Sequence, residues 1–545
     1  MIRLFDNCTT RRITSLVSLP ILGSLVVVGV MLSQSKDLPT PQLISNLGAA
    51  RPLQVDALAV NSVGNEPAVV IRGDLSSVNW RDYLGKNVTI EGDLVINDTY
   101  DLARRGQITV ARSRLFIPTS QVDPNDPNAA GQSFDGRNNV DEVTRFQKLN
   151  DQSTLIIDDQ TTQQNVFPPP LFPDLGKKYP TIRLGSIVNG VTGRLEEYRN
   201  RIVLRSEKPL QWIPASRPAR PDLGDAAVTV SSFNVLNFFT TIDNGRNNAR
   251  GADTASEFSR QEAKIVAAIT QLDADVIGLM EIENSMEAEA RLVSALNAKV
   301  GKEIYKGCGV PANFDQSPGG SDAIRVGIIY RTDRVSAIDP VSMISDDSFM
   351  IARTPLVQKF KSHKGRQPFT VIVNHWKSKG GSGGDDQANK NNGDGQAAYN
   401  GARRSQALAV TNFIEGLPSR MGQDRVLVIG DLNAYQQEDP IDLLRAKGLF
   451  DLTEQFPNRT AKVDASITSR SVDYSYVYFG QSGSLDHAFA TPSIARDVTG
   501  VSVWHINADE PRFLDYNEEY NPDGIYVADP YRSSDHDPVL IGLRN

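Results

Sequence analysis

Residues 426–435 read VLVIGDLNAY. Val426 to Ile429 form an apolar run without polar alternation, as in a strand buried on both faces. The run stops at Gly430, Asp431 and Asn433. Side chains at i and i+2 of an extended segment point the same way, so Asp431 and Asn433 leave the strand together. The design recurs along the chain. Residues 227–234 (AVTVSSFN) end on Asn234, residues 275–281 (DVIGLME) on Glu281, and residues 369–375 (FTVIVNH) on Asn374 and His375. Leu485 leads into Asp486 and His487, and Asp535 and His536 precede the final strand, residues 538–543 (PVLIGL). Amphipathic helices separate these strands. One is expected over residues 259–272, with Ile265, Val266, Ile269 and Leu272 on one face and Ser259 and Glu262 spaced as a capping box. Layered α/β chains build their sites at strand ends, so a mixed domain with such a site is expected over residues 226–545.

The chain has five histidines, and three of them, His375, His487 and His536, stand at these strand ends beside Asn or Asp. Four carboxylates, Glu281, Asp431, Asp486 and Asp535, would repel one another in a shared low-dielectric pocket unless a cation sat among them. Oxygen donors without thiolates suit a hard divalent ion: Mg²⁺ or Mn²⁺, with Ca²⁺ a third candidate. Metal, imidazole and paired carboxylates together suit hydrolysis of a phosphate ester. One group takes a proton from water, positive charge meets the phosphoryl oxygens, and a donor assists the leaving oxygen.

Composition narrows the remainder. The 545 residues suffice for two or three domains. Two cysteines, Cys8 and Cys308, exclude a disulfide-stapled scaffold or a Cys-rich zinc module. With 57 Lys+Arg against 65 Asp+Glu the net charge is −8, which argues against holding nucleic acid by bulk positive charge but not against meeting phosphate through a metal. Arg3, Arg11 and Arg12 precede an uncharged apolar stretch, residues 13–32, so residues 1–35 are expected to be a signal peptide or an uncleaved membrane anchor. Either places the remainder in the cell envelope or outside the cell, touching membrane only through an uncleaved anchor. No obligate protein partner is expected. Residues 43–223 carry short apolar runs and read as β-rich; residues 87–95 and 187–195, each preceded by Leu-Gly, are either a paired or duplicated β unit or a chance likeness. Residues 121–139 read as a polar loop, and the Pro-rich residues 212–221 as a linker with a boundary near residue 224.

The ordered set FNVLNFF (233–239), DVIGLMEIEN (275–284), VGIIYR (326–331), NHWKSKGG (374–381), GDLNAY (430–435), LDHAF (485–489) and SSDHDPV (533–539) resembles the endonuclease/exonuclease/phosphatase superfamily, and within it the bacterial extracellular deoxyribonuclease-like nucleases. The resemblance implies an α+β fold: a four-layer α/β/β/α sandwich over residues 226–545, preceded by an oligonucleotide-binding-fold-like region. It implies that Asn234 and Glu281 hold the metal with Asp535 nearby, that Asp431 activates water, and that Asn433 binds a phosphate oxygen and orients Asp431. His536 would be an acid/base or phosphate-stabilising imidazole held by Asp486, with His375 the second imidazole. Arg353 matches a phosphate-contacting arginine, or is a surface arginine before a strand. In the pancreatic-type relatives a carboxylate supports the counterpart of His375; here apolar Ile324 takes that place, with Asp322 as a substitute. His487 could be a ligand, a DNA contact or a packed residue. The Gly/Asp/Asn-rich residues 377–404 are either a flexible loop or a substrate-facing one whose Lys377, Lys379, Arg403 and Arg404 reach phosphates; Asp385, Asp386 and Asp394 are a weaker Ca²⁺ candidate.

The function expected on this basis is an exported, metal-dependent nuclease acting on DNA, with RNA as a further substrate. Two alternatives stand beside it. One is a phosphoinositide or phospholipid phosphoesterase of the same superfamily, disfavoured because inositol phosphatases show Asp-Arg where this chain has Asp486-His487. The other is a surface protein that binds nucleic acid with a decayed catalytic domain.

Overall fold

The structure is a computed structural model and describes residues 54–56, 62–63, 66–124, 138–365, 367–417, 425–456 and 473–544. The expected export segment, residues 1–35, and most of the 121–139 loop lie outside the described residues. Among the described residues no helix is long and apolar enough to cross a membrane.

In the amino-terminal half the two Gly-punctuated segments prove to be partners. Asn87–Asp98 and Ile187–Tyr198 pair antiparallel along most of their length. Glu91 and Gly92 oppose the single Gly190, and both glycines have positive φ (81° and 59°). This two-against-one bulge bends the long strands sharply, which a side chain at either glycine would resist. From Asn87–Asp98 the pairing runs through Gln107–Ala111, Leu155–Asp158 and Arg201–Arg205 to Ile187–Tyr198, which returns to the first strand. The ring of five strands closes around Val88, Ile90, Ile108, Ile157 and Leu204, all fully or almost fully buried.

Beyond residue 226 the fold is α+β, with two six-stranded sheets. The first has the order Tyr305–Gly307, Ile324–Arg331, Val276–Glu283, Val228–Phe238, Val539–Leu543, Val498–Val503; the second Val335–Met343, Leu356–Ser362, Phe369–His375, Val426–Asp431, Asp486–Ala490, Phe450–Asp451. Alternate residues of the two sheets share one core, Val230, Met280 and Ile541 meeting Val371, Val373 and Ile429. The sheets approach so closely that a Cβ on Gly278 would lie 2.8 Å from Val373 and 2.9 Å from Ile429. Ala255–Leu272 and Met286–Val300 cover the outer face of the first sheet, and Asn400–Glu415 and Asp439–Ala446 that of the second. The first of these helices begins earlier than expected. Thr254 accepts from the Glu257 amide at 3.1 Å and caps it, whereas Ser259 donates back to the Ala255 carbonyl and Glu262 pairs with Arg291. Thr254 and Glu257 have the same spacing as Ser259 and Glu262, and the chain uses the earlier pair.

The two halves interlock through buried charge. Glu510, fully buried, accepts from Thr181, Arg217 and Arg183, and Arg183 also donates to the His505 carbonyl at 2.8 Å. Arg114 meets Asp509 at 2.9 Å, and Asp509 also accepts from Tyr474. Leu115–Phe116 joins the sheet of Gln481–Gly483, while Phe513 and Leu514 pack into the amino-terminal core. The Pro-rich segment takes part too, since Gln211–Ile213 adds to the barrel sheet and Arg217 binds Glu510.

Removing one member of a buried ion pair leaves the other uncompensated, so Glu510→Ala is expected to cost about 3 kcal/mol, read from the urea midpoint. His505 lies stacked on Tyr474 (ring centroids 4.2 Å apart) between Asp537 and Asp473. Burial opposes its charge, but the two carboxylates outweigh it and push its pKa up to about 10 from 6.5. A raised pKa stabilises fully below the unfolded value and is lost as pH climbs through the folded one. The stability gap between the native chain and His505→Gln should therefore be widest at pH 6 and close by pH 10, measured by urea melts across that range.

Candidate active site

The inward-facing stripes of the two sheets run out of apolar residues at one edge, and polar ones continue them. Val371 and Val373 lead to His375, Leu427 and Ile429 to Asp431, and Ala490 and Ala488 back to Asp486. Strand register sets His375, Asp431 and Asp486 in one lateral row. Gly430 allows this, because its φ is 139° and a Cβ there would collide with the Asn374 backbone. In the facing sheet Val228 and Val230 lead to Asn234. Glu281 is turned into the same space by a register shift in its strand and a φ of 62°.

The side chains converge. Asn234 is fully buried; its Nδ2 lies 3.2 Å from Glu281 Oε1 and 3.4 Å from Asp431 Oδ2, and its Oδ1 accepts from the Leu236 amide. Asp431 Oδ2 is 3.5 Å from His375 Nε2 and 4.0 Å from His536 Nε2, while Oδ1 accepts from the Asn433 amide at 2.9 Å. Asn433, at φ 50°, donates through Nδ2 to the Trp376 carbonyl. Asp486 Oδ2 accepts from His536 Nδ1 at 2.7 Å and from Ser475 Oγ at 2.6 Å. Tyr476 packs on the His536 ring at 4.7 Å.

Electrostatics sorts the titrating groups. Burial raises the Asp431 pKa to about 7, with Asp486 and Glu281 adding to it and His536 and the Asn433 amide opposing. Burial and Asp535 also raise Glu281. For His536 burial works against the charge, but Asp486, Asp431 and Asp535 overcome it and lift the pKa well above the ordinary value. His375 goes the other way. Burial, Arg353 and His536 hold it far below its usual range, so this imidazole is neutral at pH 7.

Glu281, His375 and Asp431 each offer a ligand atom within 4.8 Å of the others, a tight donor set dominated by carboxylate oxygen. Mutual repulsion of their buried carboxylates and the unpartnered Nδ1 of His375 fit a divalent cation. Among the sequence-predicted metal residues, Asn234 touches this set through its amide, and Asp535 lines the same cavity. No carboxylate replaces the missing partner of His375, because Asp322 is engaged by Arg250 and the Ile324 amide. His487 faces away from the site, its parity along the strand being opposite to Asp486. Its Nε2 meets the Ala434 carbonyl at 2.8 Å beside Phe489.

The basic residues divide. Arg353 is buried behind the site, donating to the Trp376 carbonyl at 3.0 Å, which makes it neither a surface residue nor a lining one. The Lys377 ammonium lies 4.4 Å over the Tyr399 ring. Arg403 is fully buried and bonds the Ala398 and Gln396 carbonyls, so the expectation that it reaches phosphate fails. Arg404 is half-buried on its helix near Asp439, outside the cavity lining. Lys379 is tied to buried Glu438, which also accepts from Thr119. Asp394 is buried and caps its own turn through the Gln396 amide.

Glu281, His375, Asp431, Asn433, Asp535 and His536 open onto a cavity of about 1130 Å³. Residues of the 377–404 insert, including Gly381 and Gly395, form one wall. The opposite wall comes from the amino-terminal half: Pro118, Thr119 and the helix Val140–Ser153. Tyr435, Tyr476 and Tyr478 line the cavity as well. Sequence reading missed both this wall and the Tyr476 and Ser475 contacts. The run YSYVY (474–478), just before Leu485, was the available signal.

The chain belongs to the endonuclease/exonuclease/phosphatase family, whose model matches residues 231–536. Enzymes of this family generally use a divalent metal, and the chain is accordingly a phosphoesterase. It is similar to an endonuclease/exonuclease/phosphatase family protein from Bacteroides thetaiotaomicron (17% identity, 58% of this chain, 97% of that one, TM-score 0.36). It is also similar to a mannosyl-6-phosphatase from the same organism (16%, 58%, 100%, 0.36) and to the catalytic domain of human Nocturnin (13%, 58%, 94%, 0.36). No curated protein matches the chain.

Asp486→Asn removes the strongest charge partner of His536. In the metal-free protein the His536 pKa should fall toward 6.5, so a ring protonated at pH 7.5 in the native chain becomes largely neutral, a change checked by NMR titration of the imidazole.

Proposed function

We propose that the chain is an exported, metal-dependent nuclease that hydrolyses phosphodiester bonds in DNA. The observation that carries this over a phosphomonoesterase is the cavity: at about 1130 Å³, walled by both halves of the chain, it exceeds what a small phosphate ester fills. Three apolar clusters stacked between sheets and helices support reading residues 226–545 as a four-layer α/β/β/α sandwich. The strand order of the closed ring, with its parallel pair Leu155–Asp158 and Arg201–Arg205, supports an oligonucleotide-binding-fold-like domain over residues 43–223. Export rests on residues 1–35.

In this proposal Glu281 and Asp431, with neutral His375, hold the ion, and Asn234 and Asp535 complete its surroundings. When bound, the ion neutralises phosphoryl charge and lowers the pKa of a coordinated water. Asp431 accepts the proton of the attacking water, oriented by the Asn433 amide. The His536 imidazolium, kept charged by Asp486, donates to the phosphoryl or leaving oxygen. Neutral His375 accepts or donates a hydrogen bond at the same phosphate without adding charge. The phospholipid reading loses support because Asp486 is followed by an inward-bonded histidine and not by a cation.

Plasmid DNA should be cleaved with Mg²⁺ or Mn²⁺ and left intact with a chelator. Asp431→Ala and His536→Ala should each lower the rate by about 10³-fold. Undiminished cleavage by either variant, or hydrolysis of phospholipid in place of DNA, would overturn the proposal.

A further inference from the structure

The catalytic cavity does not close at Tyr478. There it shares Ile117, Gln147, Asp151 and Tyr478 with a second hollow of about 790 Å³ at the junction of the two halves. Two aromatic side chains stand at this hollow half in solvent, Phe479 at 50% and Tyr520 at 51% exposure. Both also have left-handed backbone, at φ 47° and 61°. Bulky L residues seldom adopt that conformation, and large exposed rings are disfavoured in water, so two unfavourable features coincide twice on one surface.

The chemistry around the rings is specific. Phe479 lies edge-to-face with Tyr478 at 4.5 Å, which carries the aromatic surface from the catalytic cavity into the hollow. The Arg104 guanidinium lies 4.3 Å from the Tyr520 ring centre, and the exposed Arg201 stands on the same rim. The acidic groups are largely spoken for. Asp101 pairs with Arg105 at 3.3 Å, Asp98 accepts from the Tyr100 amide, and Asp151 accepts from Gln147. Stacking surfaces interleaved with guanidinium groups suit a flexible polyanion with free aromatic faces, whereas duplex bases are already stacked on one another.

We infer that this hollow binds an unpaired stretch of DNA running out of the catalytic cavity, bases stacking on Phe479 and Tyr520 and phosphates meeting Arg104 and Arg201. The inference rests on the phosphodiesterase reading for its substrate, but the binding it describes does not require turnover. Because stacking is indifferent to base identity, it yields a preference for single strands over duplex with little sequence preference.

The test measures fluorescence anisotropy of labelled dT12 and of a 12-bp duplex with the full chain in chelator, alongside cleavage in Mg²⁺. dT12 is expected to bind about tenfold tighter than the duplex, and Phe479→Ala/Tyr520→Ala to lose about tenfold on dT12. Turnover of bis(p-nitrophenyl) phosphate, which reaches only the catalytic cavity, should be unchanged in that variant. Arg104→Ala/Arg201→Ala should lower the slope of log Kd against log salt by about one. Equal affinity for duplex, or dT12 binding unaltered in both variants, overturns the inference. If DNA is cleaved but binding ignores the aromatic pair, only the hollow's role fails. If dT12 binds through the pair and no DNA is cut, the hollow stands and the nuclease reading falls.

Discussion

The site depends on one contact, the 2.7 Å hydrogen bond between Asp486 Oδ2 and His536 Nδ1. Without it a buried imidazole would be neutral, as His375 is, and the cluster of carboxylates would have no fixed positive neighbour. Asp486 can fill this role because its own surroundings are so controlled: it is fully buried, accepts from Ser475 and lies across from Asp431 in strict register. The result is two imidazoles in one pocket with opposite charge states, which divides acid from acceptor without a change of residue type. Glu281, His375 and Asp431 then form a donor set whose excess negative charge suits a divalent ion.

Much of this was legible in the sequence because the periodicity of a strand continues past its apolar part. Asp431, His375, Asp486 and Asn234 each extend an inward stripe of alternate residues, so a reader following every second residue arrives at the site. The same rule resolves His487, one position out of phase and therefore turned to the helix side with Phe489. Composition alone does not separate Asp486 from His487; parity does. The pairing of residues 87–95 with 187–195 was visible as matched Gly-punctuated strands, and the bulge at Gly92 and Gly190 explains the punctuation.

Other features were hidden for physical reasons. Lys379 and Arg403 read as phosphate contacts because a basic residue in a polar loop is normally solvated. Burial and the acceptors that trapped them, Glu438 and the Ala398 and Gln396 carbonyls, come from chain segments that no local pattern links. The helix Val140–Ser153 likewise gives no hint in its own sequence that it will face an active site some 140 residues or more further along the chain. Capping was misplaced at Ser259 because two spacings of the same kind lie five residues apart, and only the helix's packing decides between them.

Glu438 has one more implication. Its carboxylate holds Lys379 from the insert and Thr119 from the amino-terminal half, so a single buried anion fastens opposite walls of the cavity to each other. A cleft tied in this way is shaped during folding and not by closure around its ligand. Its occupant meets a vestibule of fixed width, the ordering entropy of the walls has already been spent, and discrimination falls on what can thread the opening instead of on what can induce a fit.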